Sequence, residues 1–201
     1  MNLPPFSPDF DQLYQHSSDP WQVQKRWYEQ RKQALLLASL PRRRYRHAFE
    51  PACGTGALTV ALADRCDTVL ASDGSVDAVR ISSEKVTHLP HVHICRQSLP
   101  ADWPCASFDL IVLSEWAYYL SDTDLLEVVR RCQASLSHDG TLIACHWRAD
   151  FVQRRQSTDR IHALLNATAP WTRQAHHEEK DFLLEVWSAT TPSVAQQEGL
   201  A

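Results

Sequence analysis

Glycine is scarce in this chain: 201 residues hold five of them. Soluble proteins average roughly 7% glycine, about fourteen for this length. Together with 44% apolar and 22% charged residues, so few glycines exclude collagen-like sequence, low-complexity sequence and wholesale disorder. Long apolar runs are also lacking. The stretch Ala34 to Leu40 falls far short of the ~20 residues that span a bilayer, so no membrane partner is expected. Basic charge is not in excess either, with a net charge of −4 and a pI of about 6.2, and nucleic acid is not an implied partner. The six cysteines (Cys53, Cys66, Cys95, Cys105, Cys132 and Cys145) form no C-x-x-C pair, so they read as reduced, mostly buried side chains. Met1-Asn2-Leu3-Pro4-Pro5 has neither the basic nor the apolar region of a signal peptide, and a cytoplasmic location is the expectation.

What is present is an alternation of strand and helix patterns. Residues 1–18 read as an extended leader. Asp19-Pro20 reads as N-cap and first position of a helix running to Leu40, which Pro41 stops. Strands are expected at Tyr45–Glu50, Thr68–Ser72, Val92–Arg96, Phe108–Ser114 and Thr141–Cys145, with Asp139-Gly140 as a turn before the last. Helices are expected at Ala57–Asp64, Ser75–Val86, Asp122–Leu136 and Phe151–Ala167. Trp171–His176 and Phe182–Thr190 read as a closing antiparallel pair with a solvated tip at Glu178-Glu179, followed by a polar tail. The organisation is a leader and lid helix over 1–44, one α/β domain over 45–190, and a tail over 191–201. Such alternation builds a mostly parallel sheet with helices on both faces, and ligands bind beyond the carboxyl ends of its strands.

The residues at those ends carry the chemistry. Gly54-Thr55-Gly56 follows the first strand, where bare backbone can approach a ligand. Glu50 ends that strand and Asp73, followed by Gly74, ends the second. A carboxylate at the second position suits the two hydroxyls of a ribose. A dinucleotide fingerprint needs a third glycine, but Thr59 stands there, and Glu50 repels a diphosphate while suiting an ammonium group. S-adenosyl-L-methionine, with an amino-acid head and no phosphate, fits this pattern better than NAD.

Phe49-Glu50-Pro51-Ala52-Cys53-Gly54-Thr55-Gly56 resembles motif I of class I S-adenosylmethionine-dependent methyltransferases. Asp73 matches the ribose-binding acid of motif II. Ser107-Phe108-Asp109-Leu110-Ile111-Val112 and Leu136-Ser137-His138-Asp139-Gly140-Thr141-Leu142 resemble the family's fourth strand and the turn before its fifth. Asp19-Pro20-Trp21, Tyr28-Glu29-Gln30-Arg31 and Ser114-Glu115-Trp116-Ala117-Tyr118-Tyr119-Leu120 resemble the nodulation protein S group. Members of that group N-methylate a de-N-acetylated chitooligosaccharide, so the resemblance implies an amine acceptor, an amino sugar first among them. It implies a Rossmann-like class I methyltransferase fold, a seven-stranded sheet with an N-terminal helical lid.

The sequence departs from the family pattern at Ala52, where the first loop glycine is usual. It also departs at Gln97-Ser98, where an acid normally contacts adenine. The expected cofactor set is Trp21, Arg31, Glu50, Ala52, Gly54, Gly56, Asp73, Gly74, Gln97, Ser98, Leu99 and Ser114, with Arg31 on the cofactor carboxylate as in the family. An amine must react neutral, so a proton acceptor is useful; Glu115, His146 and Tyr118 are the catalytic candidates, while Trp116 and Trp147 suit a sugar face. The cluster His88-x-x-His91-x-His93 lacks a full ligand set, and no metal is expected. Rival readings are a small-molecule O-methyltransferase and a non-catalytic regulatory module binding S-adenosylmethionine or NAD. The chain is expected to be a monomer or homodimer.

Overall fold

A computed structural model describes residues 10–167, 171–189 and 192–200. Parts of the expected leader (1–9), of the domain end and tail (190–191) and Ala201 lie outside the described residues. Seven strands, β1 Tyr45–Pro51, β2 Cys66–Asp73, β3 Val92–Arg96, β4 Phe108–Ser114, β5 Leu136–Trp147, β6 Thr172–Glu178 and β7 Phe182–Ser188, form one sheet. Its order is β3-β2-β1-β4-β5-β7-β6. The first five strands pair in parallel, and β7 runs antiparallel to both β5 and β6. The mostly parallel seven-stranded sheet is therefore as expected.

Helices cover both faces, because the central strands are apolar on both. In β4 every residue from Phe108 to Leu113 is buried. Helices α2 Trp27–Ser39 and α3 Ala57–Ala63 close one face through Leu36, Leu62 and Ala63 packed on Ala48, Val69 and Leu110. Helices α5 Asp122–Ser135 and α6 Thr158–Ala167 close the other, with Leu125, Val129, Ile161 and Leu165 on Phe49, Ile111 and Trp187. Helix α4 Val76–Lys85 starts at Ser75, whose hydroxyl accepts from the Ala78 N–H at 3.2 Å. At the amino end of the sheet, buried Asp109 accepts from the backbone N–H of Arg46 (3.0 Å) and His47 (2.8 Å) and from Arg46 Nε (3.2 Å).

Four local expectations are corrected. The leader contains a helix, α1 Phe10–His16, which buries Tyr14 and packs on α4. Asp19 does cap backbone, accepting from Val23 N–H at 2.9 Å, but what it caps is a turn. Gln22 then takes φ +55°, which breaks the helical path, and α2 begins only at Trp27. Asp139-Gly140 is no turn between elements: β5 is continuous from Leu136, and the extra residues bulge between the Phe108–Leu136 and Leu110–Thr141 pairs. Glycine is needed in that bulge, since a Cβ at Gly140 would lie 2.6 Å from Leu136 Cγ. Helix α6 begins at Thr158, seven residues later than the pattern suggested. In the polar tail, Ser193 and Gln196 form a capping box on a short exposed helix, α7 Val194–Gln197. No described helix is long and apolar enough to cross a membrane.

Candidate cofactor and acceptor site

The loop after β1 alternates through the left-handed region, with φ +54° at Ala52, +55° at Gly54 and +72° at Gly56. Ala52 takes a conformation that L residues adopt only at a cost. Gly56 has no such freedom to change: a Cβ there would meet Ser82 Cβ at 2.9 Å. Asp73 holds the loop in place, one carboxylate oxygen accepting from Gly54 N–H and the other from Ser75 N–H, each at 2.9 Å. Helix α1 covers this edge. Tyr14 Oη lies 3.1 Å from where a Cβ on Gly54 would sit, and the Ser75 hydroxyl is hydrogen-bonded to Asp11.

Glu50 is buried beside the loop, and the Thr59 hydroxyl donates to its Oε2 at 2.6 Å. Burial pushes its carboxyl up from 4.5 to about 8, the Thr59 bond opposing and the Asp73 charge adding to the rise. Among the described residues no cationic side chain pairs with it. Thr59, which in the sequence only breaks a dinucleotide fingerprint, is thus the residue that orients Glu50. At the end of β3, Gln97 Oε1 is buried without a partner among the described residues, while its amide nitrogen donates to Asp102 O at 2.9 Å. Asp102 also takes the Ser98 N–H at 2.8 Å. A buried cation-ready carboxylate, an acid on the glycine loop and a free amide oxygen suit the amino-acid head, ribose and adenine amine of S-adenosylmethionine. Gly74, Leu99 and Ser114 line the same strand ends, with Leu99 packed on the α5 face of the core.

Two residues of the expected lid have protein partners. Arg31 gives its guanidinium to Glu179 in a bidentate pair at 2.9 and 2.6 Å, so it is tied to the β6–β7 hairpin. Those bonds and His177 hold the Glu179 carboxyl down to about 2. The hairpin tip is accordingly not merely solvated, since Glu178 also pairs with Arg148. Trp21 joins an aromatic group with Phe10 (6.5 Å) and Tyr14 (5.7 Å), anchoring α1.

The ends of β4 and β5 carry the catalytic candidates. Glu115, at φ +55°, accepts from Lys32 Nζ (2.6 Å), Tyr118 Oη (2.9 Å) and the Trp147 N–H (3.0 Å). Lys32 also lies 2.9 Å from Glu29 and over the Tyr28 ring. Burial works against its charge, but Glu115 and Glu29 outweigh that and hold the ammonium firmly protonated. Sequence reading missed Lys32, because one lysine in a charged helix carries no signal of a partner on a distant strand. Tyr118 touches His146 edge-on at 5.8 Å and Phe151 at 5.1 Å, while Trp147 stacks on Phe151 at 5.9 Å. Trp116 packs partly on the core. His146 is fully buried, with Nδ1 3.2 Å from His162 Nε2.

A surface depression of about 400 Å³ lies at the opposite edge of the sheet beside Arg46, Asp109 and Asp139. Its arginine and acids satisfy one another, so it offers a ligand less than the strand ends do. Among the described residues no three His, Cys, Asp or Glu side chains are disposed to hold a metal ion. His91 bonds instead to Ala63 O at 3.1 Å.

Comparison with known proteins agrees with this geometry. Nodulation protein S of Bradyrhizobium diazoefficiens is 30% identical over 141 residues, 68% of this chain and 66% of that protein, just under two thirds of its length. A candidate methyltransferase from Pseudomonas syringae is 44% identical, with TM-score 0.73, over 81% of this chain and 99% of that one. N-methyltransferase NodS from Bradyrhizobium japonicum WM9, solved with S-adenosyl-L-homocysteine, superposes with TM-score 0.78 at 21% identity, over 89% and 97% of the two chains. The fold is therefore that of a class I methyltransferase. The profile of the nodulation protein S family matches residues 11–169, and the chain belongs to that family.

Proposed function

We propose that the chain transfers a methyl group from S-adenosyl-L-methionine to the nitrogen of a small-molecule amine, with an amino sugar first among acceptors. One observation carries the cofactor assignment: Glu50 is a buried carboxylate with a single hydroxyl partner beside a glycine loop. A phosphate at that place opposes ionisation of the carboxyl, whereas the ammonium of an amino-acid head favours the ionised form and replaces the solvation that Glu50 has lost. Asp73 then faces the ribose and Gln97 Oε1 the adenine amine. When bound, the cofactor supplies an electrophilic methyl on its sulfonium. The chain's own part is alignment of the acceptor and removal of its proton. Glu115 and Tyr118 orient the acceptor, and His146 takes the proton. Both Glu115 oxygens are already engaged, by Lys32, Tyr118 and the Trp147 N–H, which favours a charge-placing role for that carboxylate.

Family membership supports the amine acceptor, since the solved relative from B. japonicum is named an N-methyltransferase. Calorimetry with S-adenosylhomocysteine and with NAD tests the cofactor: micromolar binding of the homocysteine compound is expected, and binding of NAD alone sinks the assignment. A labelled-methyl screen over amines, glucosamine oligomers and hydroxyl compounds tests the acceptor. Label on a de-N-acetylated sugar is the expected outcome. Label confined to hydroxyl compounds makes the enzyme an O-methyltransferase, and no label on any nucleophile makes it a binding module.

A further inference from the structure

Three buried titratable side chains meet on the sheet face that α6 covers: His146, His162 and Glu185. In the antiparallel β5–β7 pair, Glu185 lies opposite Ala144 and Leu183 opposite His146, so His146 and Glu185 share one face. Helix α6 inserts His162 between them. His162 Nδ1 is 2.8 Å from Glu185 Oε2, and His162 Nε2 is 3.2 Å from His146 Nδ1. The other oxygen of Glu185 accepts from Arg173 at 2.7 Å and from His176 Nδ1 at 2.8 Å. At the far end, His146 Nε2 is buried and has no partner among the described residues.

Hydrogen-bond chemistry fixes where the protons sit. An ionised carboxylate only accepts, so His162 carries its hydrogen on Nδ1. With that as its one ring hydrogen, His162 presents a bare Nε2, and His146 donates to it through Nδ1. His146 Nε2 is left with an unused lone pair. A buried imidazole that served packing alone would have both nitrogens satisfied.

We propose that His162 and Glu185 are positioning residues that hold His146 in the Nδ1–H tautomer, leaving Nε2 free to take a proton from the amine acceptor. The inference rests on the amine methyl-transfer reading above. An acceptor ammonium, R–NH3+, gives one proton to Nε2 and becomes R–NH2, while His146 becomes an imidazolium whose Nδ1–H still faces His162. Glu185 stabilises that charge through the His162 ring and keeps no proton itself. Burial raises its carboxyl, but His162, His176 and Arg173 together hold it down to about 2.

The groups around His146 are His162 on α6, Tyr118 after β4, Arg154 before α6 and Lys32 on α2, with Glu185 reached through His162. Burial above all pushes the imidazole well below 6.5, with the Arg154 and Lys32 charges adding to the fall. The same burial and the same cations penalise an ammonium placed there, which eases loss of its proton to Nε2.

Two-dimensional ¹⁵N–¹H NMR of the full chain, labelled at histidine and free of cofactor, reads the tautomer directly. His146 is expected with Nδ1 protonated and Nε2 bare; an Nε2–H tautomer overturns the proposal. Glu185→Gln, which can donate as well as accept, is expected to mix the tautomers. It should also lower kcat at least about tenfold, with acceptor KM changed far less, and move the acidic limb of the kcat profile to lower pH. An unchanged tautomer and pH limb in a folded Glu185→Gln protein also overturns it. Should that variant not fold, His162→Gln serves, because its amide both accepts from His146 and donates to Glu185. It is expected to keep the tautomer and most of kcat, whereas His162→Phe loses both. The tautomer is read without cofactor or acceptor, so a failed relay is distinguishable from a failed methyl-transfer reading, which shows as absence of label with the Nδ1–H tautomer intact.

Discussion

Lys32 Nζ lies 2.6 Å from Glu115 Oε1, joining helix α2 to the end of β4. Lys32 is nearly fully buried, whereas the Glu115 side chain keeps about a quarter of its exposure, 26%. Lys32→Met should therefore cost about 2–4 kcal/mol, most of it from leaving Glu115 uncompensated. Adding Glu115→Gln should recover much of the loss, which urea unfolding of the two single variants and the double variant will measure. Simple additivity of the single losses would show that the two side chains do not act as a pair.

Glu50 predicts opposite pH responses for stability and for binding. Its folded carboxyl titrates near 8 against an ordinary 4.5, so between those values the folded ligand-free chain holds more proton than the unfolded chain. Stability from this group accordingly falls as pH rises from about 4.5 towards 8. Glu50→Gln should flatten that slope and leave the free protein at least as stable. The cofactor's ammonium needs the ionised form, so affinity for S-adenosylhomocysteine should weaken by up to about tenfold per unit as pH falls below 8. Calorimetry at pH 6, 7 and 8.5 checks this, with Glu50→Gln binding weakly and evenly at all three.

Asp73 ties the glycine loop to β2 through two backbone N–H groups. Asp73→Asn keeps the shape but turns one acceptor towards those donors into a donor. Affinity for S-adenosylhomocysteine should drop about tenfold to a hundredfold, with a smaller stability loss of about 1–2 kcal/mol. An unchanged affinity would place the ribose elsewhere.

Ala52 and Gly56 should respond to substitution with opposite signs. Ala52→Gly releases a left-handed alanine, a gain partly offset by greater freedom of the unfolded chain, and should be neutral or stabilising by up to about 1 kcal/mol. Gly56→Ala adds both a left-handed Cβ and a contact at 2.9 Å with Ser82. It should cost about 2–4 kcal/mol and abolish tight cofactor binding. Thermal melts in the presence and absence of S-adenosylhomocysteine separate the two effects.

Strands β1 to β4 were legible to within a few residues, because apolar runs between turn residues report burial directly. The misplaced boundaries share a cause: Asp19-Pro20 and Asp139-Gly140 have genuine turn chemistry, and tertiary context decides what it serves. Asp19 caps a turn ahead of α2, and Gly140 makes room for Leu136 inside a continuous strand. Motif-borne residues such as Glu50 and Asp73 stand where sequence reading put them, since they sit next to the elements that orient them. Lys32, His162 and Glu185 were invisible because each acquires its meaning from a partner on a distant element. The pairing of Arg31 with Glu179 was invisible for the same reason, since that glutamate lies on the β6–β7 hairpin.

Strand β1 carries a carboxylate at each end, Glu50 on the strand itself and Asp109 alongside it on β4. Asp109 receives two backbone N–H groups and an arginine as the chain folds, so its needs are met before any ligand arrives. Glu50 receives one hydroxyl. The two ends of one strand thus divide their labour in time: the acid at the amino end is complete at folding, and the acid at the carboxyl end is complete only at binding. Neutralising the first would register in a melting curve, and neutralising the second in a titration.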